Sequence, residues 1–275
     1  MTTTTRPTTT GPAPVQRVEV SAELKDLMRR LRLGRLLDTL PERLALARTQ
    51  HLPHHDFLEM LLADEVTRRD RQAVDRRARE ANLDPTMVLE AWDDSTAVAF
   101  DRALWAELCS LRFLDQALNL MILGPVGVGK TFLANALGHA AIRRKYSVHL
   151  ERADKLFKRL RAARLDHTHE QEMRKLHRVQ LLIIDDLALH PLGTDQTNDF
   201  YELIVERHRH YSTIITSNRE GPEILSMMAD QLLGQSALDR LQSAAGRTRR
   251  RGRQLPATPT TSTWPDCDIS PQIHS

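Results

Sequence analysis

Apolar positions along the chain change their period partway through, and the change divides it into regions of different architecture. From Ser21 onward, Leu24, Leu27, Met28 and Leu31 recur at three- and four-residue spacing, which predicts a helix capped by Ser21. Pro41 is placed to open a second helix carrying Leu44. A third stripe, Phe57, Leu58, Leu61, Leu62, Glu65 and Val66, runs into an arginine-rich segment as one long helix. These leucines read as core or as a helix-packing seam rather than as a ligand site. After a connector from Asn82 to Ala99, where Asp84-Pro85 signals a helix start, the pattern alternates. Short apolar runs near 119–123, 147–151, 180–185 and 212–217 read as buried strands. Helical periods near 130–145, 153–164, 169–177, 195–210 and 235–244 accompany them. The expected fold class is α/β, a parallel sheet between helices, preceded by a small all-helical N-terminal domain. Expected boundaries are a tail at 1–18, the helical domain and connector at 19–99, the α/β domain at 100–245, and a basic, Pro/Thr-rich tail at 246–275.

The strand-like run 119–123 is followed by Gly124-Pro125-Val126-Gly127-Val128-Gly129-Lys130-Thr131, which fits GxxxxGK[ST] and leads into a helical period. Glycines let the backbone curl so that successive N–H groups face one phosphate chain, and the helix adds its positive end. The expected ligand is a nucleoside triphosphate with Mg²⁺: Lys130 on the β- and γ-phosphates, Thr131 on the metal. A second run, Leu181-Leu182-Ile183-Ile184-Asp185-Asp186, reads as a buried strand ending in two acids. Asp185 is the expected metal ligand opposite Thr131, and Asp186 the residue that orients the attacking water. Aspartate is one methylene shorter than glutamate at that second position, so slow turnover is expected. Asn218, in the polar triplet that ends the strand-like run 212–217, is placed to reach the γ-phosphate or its water, and capping the next turn is its alternative role. Arg240 lies on a short amphipathic stretch, either as an arginine delivered to a neighbour's γ-phosphate or as the partner of Asp239.

Composition narrows the class. At 275 residues with 41% hydrophobic content the chain can build a sizeable core, and no apolar run approaches the length needed to span a bilayer. The expectation is a cytoplasmic protein without membrane association. Cys109 and Cys267 stand far apart, so neither a disulfide framework nor a thiolate metal site is implied. The clusters His51/His54/His55, His167/His169 and His208/His210 are read as solvated. Net charge is only +3, yet arginines crowd two segments, Arg68 to Arg79 and Arg240 to Arg253. Such patches suit phosphate backbones, and for the first a solvated face interleaved with acids is an equal reading.

The ordered set GPVGVGKTFLANALG, LLIIDD, STIITSNRE and SMMADQLLGQSALDRL, covering most of residues 20–243, resembles the IstB-like helper ATPases of insertion-sequence transposons. That family belongs to the AAA+ class of P-loop NTPases, in the clade of bacterial replication initiators and helicase loaders. The resemblance implies an ATP-dependent DNA-binding protein, with ATP as the nucleotide, that self-assembles into an oligomer on DNA. Little sequence preference is expected, because no recognition helix or zinc module is evident in the sequence. The resemblance also implies a partner transposase, aided in choosing and joining a target. In that clade the asparagine after the fourth strand is a sensor, here Asn218, and the arginine of the DRL box is a finger acting in trans, here Arg240. A replicative helicase loader and a hydrolysis-deficient DNA-binding remnant are the other readings. From Gly246 the chain departs from the family, lacking its G-x-S-x-R element. A frameshift or recombination, or a basic DNA-binding arm, would each account for that ending. Finding no such element in neighbouring reading frames would count against the first.

Overall fold

The computed structural model describes residues 20–91, 102–243 and 254–256. The N-terminal tail, residues 92–99 of the connector, Cys267 and the arginines from Arg247 to Arg253 lie outside the described residues. The chain divides into two compact units between Ala73 and Val74, not near residue 99.

The first unit contains α1 (Ala22–Arg30), a 3-10 turn (Gly34–Asp38), α2 (Leu40–Thr49) and most of α3 (His54–Glu80). Ser21 caps α1 as expected, its Oγ accepting from the Leu24 amide at 3.2 Å. Pro41 sits in the first turn of α2, where its missing N–H costs nothing. Met28, Leu36, Leu40 and Leu61 form the core of this unit. Of the stripes read as core or packing seam, Met28 and Leu61 enter the core of this unit, while Leu27 on α1, Leu31 at its C-cap, and Leu58 and Val66 on α3 are exposed.

The arginine patch is partly neutralised from within. Glu65 is buried on α3 and accepts from Arg68 and Arg69, each at 2.7 Å. The Arg68 hydrogen bond leads in holding its pKa at about 2, against the opposing pull of burial and with help from Arg69. A carboxyl depressed in the folded chain adds stability above its unfolded pKa and loses it as pH falls toward the folded value. Glu65→Gln is therefore expected to melt at lower temperature at neutral pH. The gap to the wild type should narrow as pH falls from about 4.3 toward about 2. Circular-dichroism melts across that range check this, and a gap independent of pH would refute it.

The second unit opens on the last turns of α3. Ala78, Ala81 and Leu83 pack into its main core, and the Ala81 carbonyl accepts from the Leu150 amide at 2.8 Å. Those contacts move the division upstream into a helix that reads as one continuous piece. Asp84-Pro85 forms a turn rather than a helix start, because the Asp84 carboxylate takes both the Thr86 amide and hydroxyl. Two short helices, α4 (Arg102–Cys109) and α5 (Arg112–Asp115), lead into β1 (Leu120–Leu123). There follow α6 (Lys130–Arg143), β2 (Val148–Arg152), α7 (Ala153–Leu165), α8 (His169–Arg178), β3 (Leu181–Asp185) and α9 (Thr194–Arg207). The order ends with β4 (Ser212–Ser217), α10 (Gly221–Ser226), α11 (Gln231–Ser243) and β5 (Gln254–Pro256).

The strands pair in parallel in the order β2-β3-β4-β1-β5. Alternate residues of one strand serve opposite layers: Leu181 and Ile183 meet α6, while Leu182 and Ile184 join the core built by α7, α8, α9 and α11. Burial on both faces explains the unbroken apolar runs in the sequence. Each such side chain contributes about 1.5–3 kcal/mol by leaving water. β5 falls in the stretch expected to be a tail. It joins the sheet as an outer strand, where backbone hydrogen bonds need no apolar pattern and a proline is tolerated.

Candidate functional site

The loop from Gly124 to Thr131 leaves the carboxyl end of β1 and enters α6. The Gly124 amide donates to the Ser217 carbonyl at 3.3 Å, which fastens the loop to the end of β4. Gly127 and Gly129 adopt φ of 87° and 84°, left-handed conformations that glycine takes without strain. Pro125 and Val126 are exposed on the loop and Val128 is half-buried. Gly129 precedes α6 without a side-chain acceptor, so the cap position leaves room for an outside anion. The next residue, Lys130, is buried, and its Nζ donates to the Pro125 carbonyl at 2.7 Å. Burial lowers its pKa, and the nearby carboxylates of Asp186 and Asp185 act the other way.

Thr131 faces the end of β3. Its Oγ1 lies 3.0 and 3.1 Å from the two oxygens of the buried Asp185 carboxylate. Thr216 on β4 donates to the same carboxylate at 2.5 Å, and its Oγ1 accepts from the Asp186 amide at 2.9 Å. Asp186 has φ of 55°, and Ala188 beyond it 59°. Burial raises the Asp186 pKa, as does Asp185 beside it, while Arg152 and Lys130 partly offset them. A cavity of about 370 Å³ opens between the loops after β3 and β4, lined by Asp186, Leu189, Asn218, Arg219 and Glu223.

Lys130, Thr131, Asp185 and Asp186 thus converge at one end of the sheet, and Asn218 joins Asp186 at the adjoining cavity. Arg240 lies elsewhere. On α11 it donates to Ser236 and stacks 5.9 Å from the centre of the Tyr201 ring on α9. It also neighbours His208, which precedes β4 and so belongs to the opposite end of that strand. Asp239 pairs with Gln235 at 2.6 Å.

Several contributors escape a reading of the sequence. Thr216 lies in the STIITSNRE stretch, which marks no role for it, and its signal is a polar residue where β4 ends. Asn135 accepts from the Asp84 amide and donates to the Thr131 carbonyl, tying the first turn of α6 to the segment after α3. His169, expected in solvent, instead lies 2.9 Å from the buried Asp199, which also pairs with Arg164. At the α7–α8 turn a cavity of about 510 Å³ is lined by Arg164, His167, His169, Glu170 and Arg174. Lys155, Lys158, Arg161 and Arg164 are exposed along α7. Among the described residues no helix is long and apolar enough to cross a membrane.

The fold is the AAA+ type of P-loop NTPase. Domain III of the Thermotoga maritima replication initiation protein DnaA superposes with a TM-score of 0.51 at 20% identity, covering 65% of this chain and 69% of that one. The DnaI structure also gives 0.51 at 19% identity, over 62% of this chain and 90% of its own. Nearer relatives are ATP-binding proteins of insertion sequences. One from Mycobacterium tuberculosis is 34% identical over 79% of this chain and 87% of its own length. Another from Sinorhizobium fredii is 36% identical over 75% and 84%. The Pseudomonas aeruginosa IS21 protein is 31% identical over 80% and 83%. The family described as IstB-like ATP binding protein matches residues 26–251, and with these relatives it establishes that the chain belongs to that family.

Proposed function

We propose that the protein is an ATP-hydrolysing helper of transposition that assembles on DNA in its ATP form, assists a partner transposase, and disassembles on hydrolysis. The observation that carries the reading is the Thr131–Asp185–Thr216 cluster beside Lys130 at the mouth of an uncapped helix. A hydroxyl within 3.1 Å of both oxygens of a buried carboxylate is an oxygen donor set suited to a hard cation such as Mg²⁺. The amides of the loop and the Lys130 ammonium suit a polyphosphate. When bound, ATP supplies the γ-phosphoryl group, and Mg²⁺ neutralises charge during its transfer to water.

The residues divide that work. Lys130 exchanges the Pro125 carbonyl for phosphate oxygens. Thr131 and Asp185 hold the metal. Asp186 orients the attacking water, and Asn218 holds the γ-phosphate or that water from the adjoining cavity. Arg240, on the flank of α9, serves the γ-phosphate of a neighbouring subunit, which makes hydrolysis conditional on assembly.

For DNA, the basic face of α7 and the α7–α8 cavity are better candidates than the α3 patch, where Arg68 and Arg69 are held by Glu65. Contacts of this kind neutralise phosphates and read little sequence. A double charge reversal, Lys155→Glu with Lys158→Glu, is expected to weaken binding equally across unrelated duplexes. It should also reduce the slope of log K against log salt by about two. Fluorescence anisotropy over a salt series measures both, and an unchanged slope removes α7 from the interface. ATPase assays with and without duplex DNA test the wider reading, since an inert DNA-binding module shows no DNA-stimulated turnover.

A further inference from the structure

We infer that Arg219 is a positioning residue for hydrolysis, clamping the loop that carries Asp186 to the end of β4. This rests on the assignment of Lys130 and Asp186 to an ATP site. The loop after β3 is unusual in shape, since Asp186 and Ala188 are both non-glycine residues with positive φ, near 55° and 59°. Each such residue costs on the order of 1 kcal/mol, so the conformation persists only where its surroundings enforce it.

Four hydrogen bonds from β4 and the two residues beyond it enforce it here. Thr216 takes the Asp186 amide on its hydroxyl and the Leu187 amide on its carbonyl, both at 2.9 Å. The Ser217 hydroxyl donates to the Leu187 carbonyl at 2.7 Å. Arg219 Nε donates to the Ala188 carbonyl at 2.9 Å, closing the far end of the loop. Ser217 accepts in turn from the Arg219 amide at 3.2 Å, which fixes the arginine's own backbone.

The clamp spans the cavity that Asp186 and Asn218 share. Three bonds fasten the start of the loop; among the described residues Arg219 supplies the hydrogen bond to Ala188, the second strained residue, whose side chain is buried in the core. Without it Ala188 keeps its packing but loses the hydrogen bond that opposes relaxation toward negative φ, which would move the Asp186 carboxylate away from Asn218. The phosphate loop, held by Ser217 and α6, is untouched by that change. Nucleotide binding and hydrolysis should therefore separate.

Arg219→Met, which keeps the stem and removes the donor, is expected to lower kcat about tenfold. KM and the Kd for a fluorescent ATP analogue should stay within about twofold of wild type. Arg219→Lys, with a donor on a similar stem, should recover part of the loss. Amide hydrogen exchange supplies a readout independent of turnover: the peptide covering Asp186 to Leu189 should exchange faster in Arg219→Met and not in Arg219→Lys. A kcat within twofold of wild type, a parallel loss of binding and kcat, or unchanged exchange in that loop would each overturn the inference. Lys130→Ala measured alongside keeps the two claims apart. If it binds and hydrolyses ATP normally, the site assignment fails; if it is inactive while Arg219→Met is unimpaired, only the clamp fails.

Discussion

Lys130→Ala is expected to lose ATP binding and turnover together, with hydrolysis down about 10²–10³-fold. The side chain is buried at the mouth of α6, and its charge interacts with both Asp186 and Asp185. Its removal takes a positive charge from where the polyphosphate lies and leaves two neighbouring carboxylates facing that phosphate. Loss of attraction is then compounded by exposed repulsion, and in a partly desolvated site both are stronger than in water. The Asp186 carboxyl also loses one of the two cations that oppose its upward shift, so its pKa should rise further. Isothermal titration with ATP and Mg²⁺, with a phosphate-release assay, measures both consequences. A variant that binds ATP as tightly as wild type would remove Lys130 from the site.

Asp186→Asn should behave oppositely, retaining or tightening ATP binding while hydrolysis falls about 10²–10⁴-fold. The backbone of Asp186 is fixed by the Thr216 hydroxyl, which the amide side chain leaves undisturbed. What disappears is a negative charge near the phosphates and the acceptor that orients water. The wild-type pH profile carries a matching signature. Burial and Asp185 raise the Asp186 carboxyl above the usual aspartate range, and only its ionised form serves as acceptor. Turnover should therefore rise with pH through a pKa above that of an ordinary aspartate, and the limb should vanish in Asp186→Asn. The ATP-trapped variant should also stay assembled on DNA where wild type disperses. Near-wild-type turnover in Asp186→Asn would rule out the assigned role.

What could be read from the sequence depended on whether a signal was local. β1 and most of β3 are continuous apolar runs because both faces are covered, β4 sets two isoleucines between β-branched and hydroxyl residues, and the phosphate loop is one contiguous motif. Each was therefore visible within a short window. Thr216 and Arg219 act through partners about thirty residues away, so nothing beside them marks their roles. The same holds for His169, drawn out of solvent by Asp199. Helical periodicity misled differently. Leu24, Leu27 and Leu31 share a stripe with Met28, yet a stripe records that a face is apolar and not that something covers it. The division between units fell inside a helix because contiguous helix geometry carries no trace of which core each turn joins.

β5 changes the meaning of the chain's unusual ending. β1 delivers the phosphate loop, and on the side away from β4 it is Gln254 to Pro256 that, among the described residues, pair with it. Stripped of them, Leu120 to Leu123 would present a bare row of amides and carbonyls on a flat apolar strand, the kind of edge that recruits other strands. Three residues cover Met121 to Leu123 of that edge, the proline standing last, where a missing donor is tolerated. A stretch without any apolar pattern thereby becomes part of the sheet that carries the phosphate loop, and deleting it would expose the strand from which that loop springs.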